Sequence, residues 1–324
     1  MDEENRSGST AIIGAGAVGL ALGSCLYAAG ERIRYVVRPR SGPHPLEAQG
    51  IDRRGLFGDA RVPATHTHVS SSLAQLPDLE VDTLLVCTKS TANVEVVKEI
   101  AAIWPRFAHP PTVVICQNGW GNAEVFAEAI EPKKVASASI LTGFRRIQDH
   151  AVEVTVHAKA IQVGSLYTRD VEPLVGLCRA ISAGGIPCEP NPNIEAELVA
   201  KLLYNCLLNP LGALTRAPYG RLGEGASTRG VMEAVAREIF SVLAASNLRT
   251  HWPDADRYLE SFYRDLLPPT AGHESSMLQD LEANRGTEID VLCGAVVELG
   301  EKHELPTPVN AALQKLIHAA ERRT

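Results

Sequence analysis

The sequence predicts an α/β chain, a doubly wound parallel sheet followed by an all-α C-terminal domain, and three observations carry that prediction. Apolar strand-like runs alternate with helix-like stretches through the first half; a glycine-punctuated turn joins the first strand to the first helix; and nearly everything after Pro192 has a helical period. Thr10 to Ile13 reads as the first strand. A helix from Ala17 to Ala29 follows, with Gly30 as its stop, and Ile33 to Val37 reads as a second strand that completes a βαβ unit. The run Ala11 to Gly30 has no charge, yet a membrane span or export signal is disfavoured because Met1 to Arg6 is acidic and the run holds interior glycines such as Gly23.

The alternation continues through Thr83 to Cys87 (strand), Asn93 to Ile103 (helix), Thr112 to Cys116 (strand), Ala123 to Ile130 (helix) and Val135 to Ile140 (strand). Ala151 to Gly164 instead alternates by twos, which predicts antiparallel strands closing the first domain. Pro187, Pro190 and Pro192 punctuate the chain. The boundary therefore falls there, giving a sheet domain over 1–191 and a helical domain over 192–324. Asn193 is the expected N-cap of a long helix that runs through Lys201 and Asn205 towards Thr215, with Pro210 expected to bend it. Further helices are expected over Val231 to Ala245, Ala255 to Leu266, Ser276 to Glu282, Glu288 to His303 and Val309 to Ala320.

Composition narrows the function classes. A net charge of -7 argues against a nucleic-acid partner, which calls for a basic face. The seven cysteines are odd in number, scattered and never in a C-x-x-C pair, so neither a disulfide framework nor a zinc site is expected. Reduced thiols in a cytoplasmic protein are the expectation, with neither a metal nor a membrane partner.

The glycines specify a ligand. Gly14, Gly16 and Gly19 form G-x-G-x-x-G, with Ala15, Ala17 and Val18 between them, directly after a strand and at the start of a helix. Gly14 permits the tight turn, Gly16 lets a pyrophosphate approach the backbone, and Gly19 lets helix pack on sheet, while the first helical N–H groups face the anion. This is the fingerprint of a Rossmann-like dinucleotide-binding domain. At the end of the second strand the acid that binds the ribose of NAD is absent, and Arg38 stands there with Arg40 close behind. An arginine grips a 2′-phosphate that an acid would repel, so the expected cofactor is NADP(H). Lys89 and Asn118 both follow strand runs, at the carboxyl ends where ligands of open parallel sheets gather.

In the helical half, KLLYNCLLNP carries Lys201, Asn205 and Asn209 at i, i+4 and i+8, one polar stripe on an otherwise apolar helix. Amides suit an apolar helix interior poorly, but supply donor and acceptor to a hydroxylated or carboxylated ligand. Near the end, Gly286 reads as a helix stop, and Thr287 with Asp290 as a cap that leaves Glu288 at the first position of the next helix.

Taken together, these motifs resemble the ketopantoate reductase (2-dehydropantoate 2-reductase) family. The resemblance rests on GAGAVG at Gly14 to Gly19, Arg38, CTK ending at Lys89, QNGWGN containing Asn118, GFRR at Gly143 to Arg146, KLLYNCLLNP, and SSMLQD followed by TEID, over nearly all of the chain. It implies NADPH-dependent reduction of a 2-keto acid, with 2-dehydropantoate as substrate and Lys201 as general acid. By the same resemblance Asn205, Asn209 and Ser276 hold substrate, Asn118 touches substrate and cofactor, and Lys89 and Glu288 contact cofactor. The chemistry agrees, because hydride arriving at a ketone carbon leaves charge on oxygen that a lysine, with an ordinary pKa of about 10.4, neutralises and protonates.

The pattern departs in two places, both on the substrate side: Tyr219 and His273 stand where the family often carries asparagine. Reductase chemistry is therefore better supported than ketopantoate itself. A β-hydroxyacid dehydrogenase, a reductase of another 2-keto acid, and a non-catalytic NADP-binding regulator stay open as alternatives. The helical half offers a surface for a homodimer.

Overall fold

The computed structural model describes residues 9–322, and the acidic Met1 to Arg6 lies outside them. The chain forms two compact units. The first takes in the chain up to Gln117 together with Asn122–Ile194, and the second comprises Asn118–Gly121 and everything from Glu195 onward.

The first unit runs β1 (Ser9–Ile13), α1 (Ala17–Ala28), β2 (Arg32–Val36), α2 (Pro45–Gln49), β3 (Ile51–Gly55), β4 (Ala60–Val62), β5 (His68–Ser70) and β6 (Thr83–Val86). It continues with α3 (Asn93–Ile103), β7 (Thr112–Ile115), α4 (Asn122–Ala127), β8 (Val135–Ser139), β9 (Thr142–Gln148), β10 (Ala151–His157), β11 (Ile161–Gly164), α5 (Glu172–Ala183) and β12 (Cys188–Pro190). The main sheet has the order β12-β11-β8-β7-β6-β1-β2-β5, parallel from β8 to β5, with β11 and β12 reversed. This is the expected Rossmann-like doubly wound sheet. A second sheet, β4-β3-β10-β9, pairs β10 parallel to β3 and antiparallel to β9. The alternating segment Ala151 to Gly164 therefore does pair antiparallel, but its two strands belong to different sheets.

Both faces of the main sheet are covered, which is why its strands read as continuous apolar runs. Ala11, Ile13, Leu84, Val86, Val113 and Ile115 pack on Val96, Ile100 and Phe126 of α3 and α4. Ile12, Leu85 and Val114 face α1 and α5 instead. Helix α1 carries no charge because it is enclosed on several sides: Leu20, Leu22, Cys25 and Leu26 pack among the main sheet, Val152 and Val154 of the second sheet, and Leu177 and Ile181 of α5.

The second unit is helical: α6 (Ile194–Thr215), α7 (Tyr219–Glu224), α8 (Ala226–Ala245), α9 (Ala255–Ser261), α10 (Ser276–Glu282), α11 (Cys293–Lys302) and α12 (Pro308–Glu321). Helix α6 begins one residue after Asn193 and runs unbroken through Pro210. It is long and apolar enough to cross a membrane by length and composition, yet 78% of its most apolar window is buried inside the fold. Leu202, Leu203, Cys206 and Leu207 form a core with Val235 and Ile239 of α8, Tyr258 of α9, Val296 of α11 and Ile317 of α12. Glu238 of α8 satisfies the open start of α12, accepting from the N–H groups of Val309 (2.8 Å) and Asn310 (3.0 Å) and from Asn310 Nδ2 (2.8 Å).

Candidate active site

In the first unit, Gly14 turns the chain from β1 into α1 at φ +103°, and a Cβ there would lie 3.0 Å from the main chain of Cys87 and Thr88. Only glycine fits. At Gly19 a Cβ would come within 2.2 Å of the Gly14 carbonyl and 3.2 Å of Ile12 Cγ2, so the third glycine closes the turn as well as letting helix approach sheet. Gly16 caps α1 with extended backbone and no side-chain acceptor, and a Cβ on it would meet nothing nearer than the Cys87 carbonyl at 3.7 Å. Ala15 is buried, and Ala17 and Val18 are partly buried in the first turn. The helix start thus offers unsatisfied N–H groups beside a small-residue surface, which fits a dinucleotide pyrophosphate.

Arg38 lies just beyond β2, exposed, with no hydrogen bond or ion pair among the described residues. Arg40 is committed instead to Asp149 at 3.4 Å. Lys89 is partly buried and caps a single 3-10 turn, Ser90–Ala92, ahead of α3. Three buried amides brace these loops: Gln117 Nε2 donates to Asn93 Oδ1 (2.7 Å) and Thr88 Oγ1 (3.2 Å), and Asn93 Nδ2 donates to Asn122 Oδ1 (2.9 Å). Gln117 and Asn122 of QNGWGN are therefore scaffolding, a role that the sequence motif alone does not reveal.

The middle of that motif belongs to the second unit. Asn118 Nδ2 donates to a Glu288 carboxylate oxygen at 3.0 Å. Gly119 (φ +93°) leaves no room for a side chain, since a Cβ would lie 2.3 Å from the Val291 carbonyl, and the Trp120 N–H donates to that same oxygen at 2.8 Å. The expected placement of Glu288 at the start of an α-helix is corrected here. Thr287 Oγ1 accepts from the Ile289 N–H (3.4 Å) and a 3-10 turn, Ile289–Val291, intervenes before α11, so Glu288 stands ahead of that turn. Asp290 takes no part in a cap: its Oδ1 accepts from Gln314 (2.7 Å) and meets His318 Nε2 (2.8 Å). The Thr287 N–H is held by Glu321 (2.8 Å), whose other oxygen meets His318 Nδ1 (2.9 Å).

On α6, Lys201, Asn205 and Asn209 are 8%, 9% and 4% exposed. Polar groups this enclosed are costly in an apolar core unless they meet polar partners or a ligand. The Asn205 amide has no hydrogen-bond partner among the described residues, which leaves its donors and acceptor for a ligand. Asn209 is held from two directions: the Tyr219 hydroxyl donates to its Oδ1 at 2.5 Å, and Ser275 Oγ donates to its main-chain carbonyl at 2.9 Å. Fully buried Ser275 also caps α10, accepting from the N–H groups of Met277 and Leu278, while Ser276 is exposed at the first helical position. The two departures from the family pattern touch each other. The Tyr219 and His273 rings meet edge-on with centroids 5.3 Å apart, and the Tyr219 N–H donates to the His273 carbonyl at 3.1 Å. Burial pushes the Tyr219 phenol well above its ordinary pKa and the His273 imidazole below its own, so both are neutral near pH 7. The sequence assigns neither residue a role.

Two family models match the chain: "Ketopantoate reductase PanE/ApbA" over residues 10–167 and "Ketopantoate reductase PanE/ApbA C terminal" over residues 193–321. A 2-dehydropantoate 2-reductase of Aquifex aeolicus is 34% identical over 311 residues, covering 96% of each chain. Among solved structures, a PanE/ApbA family ketopantoate reductase from Ralstonia eutropha superposes with a TM-score of 0.81 at 29% identity, covering 97% of this chain and 99% of that one. A D-mandelate dehydrogenase, at 20% identity and a TM-score of 0.82 over 97% of this chain and 99% of its own, shares the fold.

Proposed function

This chain belongs to the ketopantoate reductase family, and from that premise we propose that it reduces the keto group of 2-dehydropantoate to the alcohol of (R)-pantoate with NADPH, using Lys201 as general acid. The observation that carries the proposal is the buried stripe of Lys201, Asn205 and Asn209 on α6, an amine and two amides enclosed in a helix that otherwise packs leucine. The bound dinucleotide supplies the hydride. Gly14, Gly16 and Gly19 with the α1 start take its pyrophosphate, Arg38 takes the 2′-phosphate, and Lys89, Asn118 and Glu288 contact the rest of it. Support for the 2′-phosphate comes from Arg38 itself, an exposed cation without a hydrogen bond or ion pair among the described residues, in a place where an acid would repel that group.

As hydride reaches the carbonyl carbon, the two electrons of the C=O π bond move to oxygen, and the Lys201 ammonium gives that oxygen a proton. Water restores the proton to the lysine amine. Asn118, Asn205, Asn209 and Ser276 orient the keto acid, which converts binding energy into alignment. The same positive amine favours the substrate carboxylate. A cytoplasmic setting suits the seven free cysteines, six of them buried.

The test is a panel of 2-keto acids with purified protein, followed by NADPH absorbance. Steady oxidation of NADPH with 2-dehydropantoate and stoichiometric pantoate is the expected result. Turnover confined to 3-hydroxy acids, or NADPH binding with no turnover on any member, would overturn it.

A further inference from the structure

Tyr219 opens α7 and is 3% exposed. Its place beside α6 is made by Gly212, where a Cβ would stand 3.0 Å from Ser275 Cβ and 3.6 Å from Tyr219 Cε1. The ring is gripped from two sides, by His273 with centroids 5.3 Å apart and by Tyr204 with centroids 6.1 Å apart, both edge-on. The main chain is pinned as well, with the Tyr219 N–H on the His273 carbonyl (3.1 Å) and the Gly220 N–H on the Ala271 carbonyl (2.8 Å). A phenol so enclosed keeps its proton and its direction, and that proton goes to Asn209 Oδ1 at 2.5 Å.

An asparagine amide has one face that accepts and one that donates, and rotation about its last bond exchanges them. Here the Tyr219 hydroxyl holds the accepting side in place, and Asn209 Nδ2 has no hydrogen-bond partner among the described residues.

We propose that Tyr219 is a positioning residue for substrate: by donating to Oδ1 it fixes the Asn209 amide so that Nδ2 faces the ligand, making Asn209 a donor to an acceptor oxygen of a 2-keto acid. This rests on the proposed function, in which Asn209 holds substrate. His273 acts behind Tyr219 as the wall that keeps its ring in place. The two residues that depart from the family pattern are thus one device, a phenol and its support, serving an asparagine that the pattern retains.

The experiment compares Tyr219→Phe, Asn209→Ala and the double variant, each assayed for turnover and for the apparent affinity of the keto acid substrate and of NADPH, with thermal unfolding as the control for folding. Phenylalanine keeps both ring contacts and removes only the hydroxyl. The expected result for Tyr219→Phe is a KM for the keto acid raised about tenfold, the scale of one lost hydrogen bond, with kcat within about twofold and KM for NADPH unchanged. Asn209→Ala should raise the same KM at least as far, and the double variant should be no worse than Asn209→Ala alone. A normal keto-acid KM in Tyr219→Phe while Asn209→Ala is impaired overturns the proposal but leaves the role of Asn209 intact. Losses that multiply in the double variant also overturn it, because Tyr219 then acts independently of Asn209. A normal KM in Asn209→Ala removes the substrate role of Asn209, and the proposal with it.

Discussion

Asn118 and Glu288 stand 170 residues apart in sequence and are joined by a 3.0 Å hydrogen bond from the amide to the carboxylate. The proposed function gives each a cofactor contact, and the bond makes them a single unit: the carboxylate fixes which face of the amide points away. Glu288→Ala should free that amide and raise the KM for NADPH by about 10- to 100-fold, the scale of a lost hydrogen bond to a charged group, with a smaller change in kcat. Initial-rate kinetics at saturating keto acid measures it, and an unchanged KM would show the pair to be structural only.

Lys201→Ala should lower kcat by about 10²- to 10⁴-fold, the ordinary contribution of a general acid, while NADPH still binds. Isothermal titration with NADPH alongside single-turnover reduction separates the two effects. Equal turnover in the variant would remove Lys201 from the mechanism.

Arg38 offers the cleanest test of cofactor choice, because its side chain has no hydrogen bond or ion pair among the described residues for a substitution to break. Arg38→Ala should raise the KM for NADPH about 10-fold or more, leave the KM for NADH nearly as it was, and leave thermal stability unaltered. Arg40, already paired with Asp149 in an exposed ion pair, should tolerate alanine with little effect on either.

His318 gives a pH signature to the turn that carries Glu288. Its hydrogen bond to Glu321, with Asp290 at the other ring nitrogen, raises the imidazole pKa. Burial pushes the Glu321 carboxyl up, but the Thr287 N–H and His318 outweigh it and hold the pKa below its ordinary value. A raised histidine stabilises fully below its unfolded pKa of about 6.5, and that stability is lost as pH rises through the folded value. The lowered carboxylate stabilises above its unfolded value of about 4.3 and is lost as pH falls through the folded one. The difference in Tm between the wild-type protein and His318→Gln should therefore be largest near about pH 5.5 and shrink towards pH 8. A difference that is flat with pH would count against it.

The legibility of the fold follows from burial. Strands β1, β6, β7 and β8 and helices α3, α6 and α8 read clearly because each buries one or both faces, so the apolar period is written along them. Helix α10 spans Ser276 to Glu282 both by its sequence signals and in the structure. By contrast β4, β5 and β9 (ARV, HVS, TGFRRIQ) at the sheet edges, and β3 (IDRRG) between β4 and β10, carry charged or small polar residues with partly exposed faces, and no apolar period survives in them. The division of QNGWGN between the two units is also hidden from the sequence. Its glycines and amides look alike there, and only their partners, Asn93 for Gln117 and Glu288 for Asn118, show which unit each amide is tied into.

The sequence by itself determined the glycine turn, the strand–helix rhythm and the polar stripe on α6, because each is a local pattern in which spacing along the chain maps directly to one face or one turn. The tertiary structure alone decided that Tyr219 and His273 lie together and that the Tyr219 hydroxyl takes Asn209. Hydrogen-bond direction depends on which atoms of distant segments meet within about 3 Å, and no periodicity along a chain encodes that.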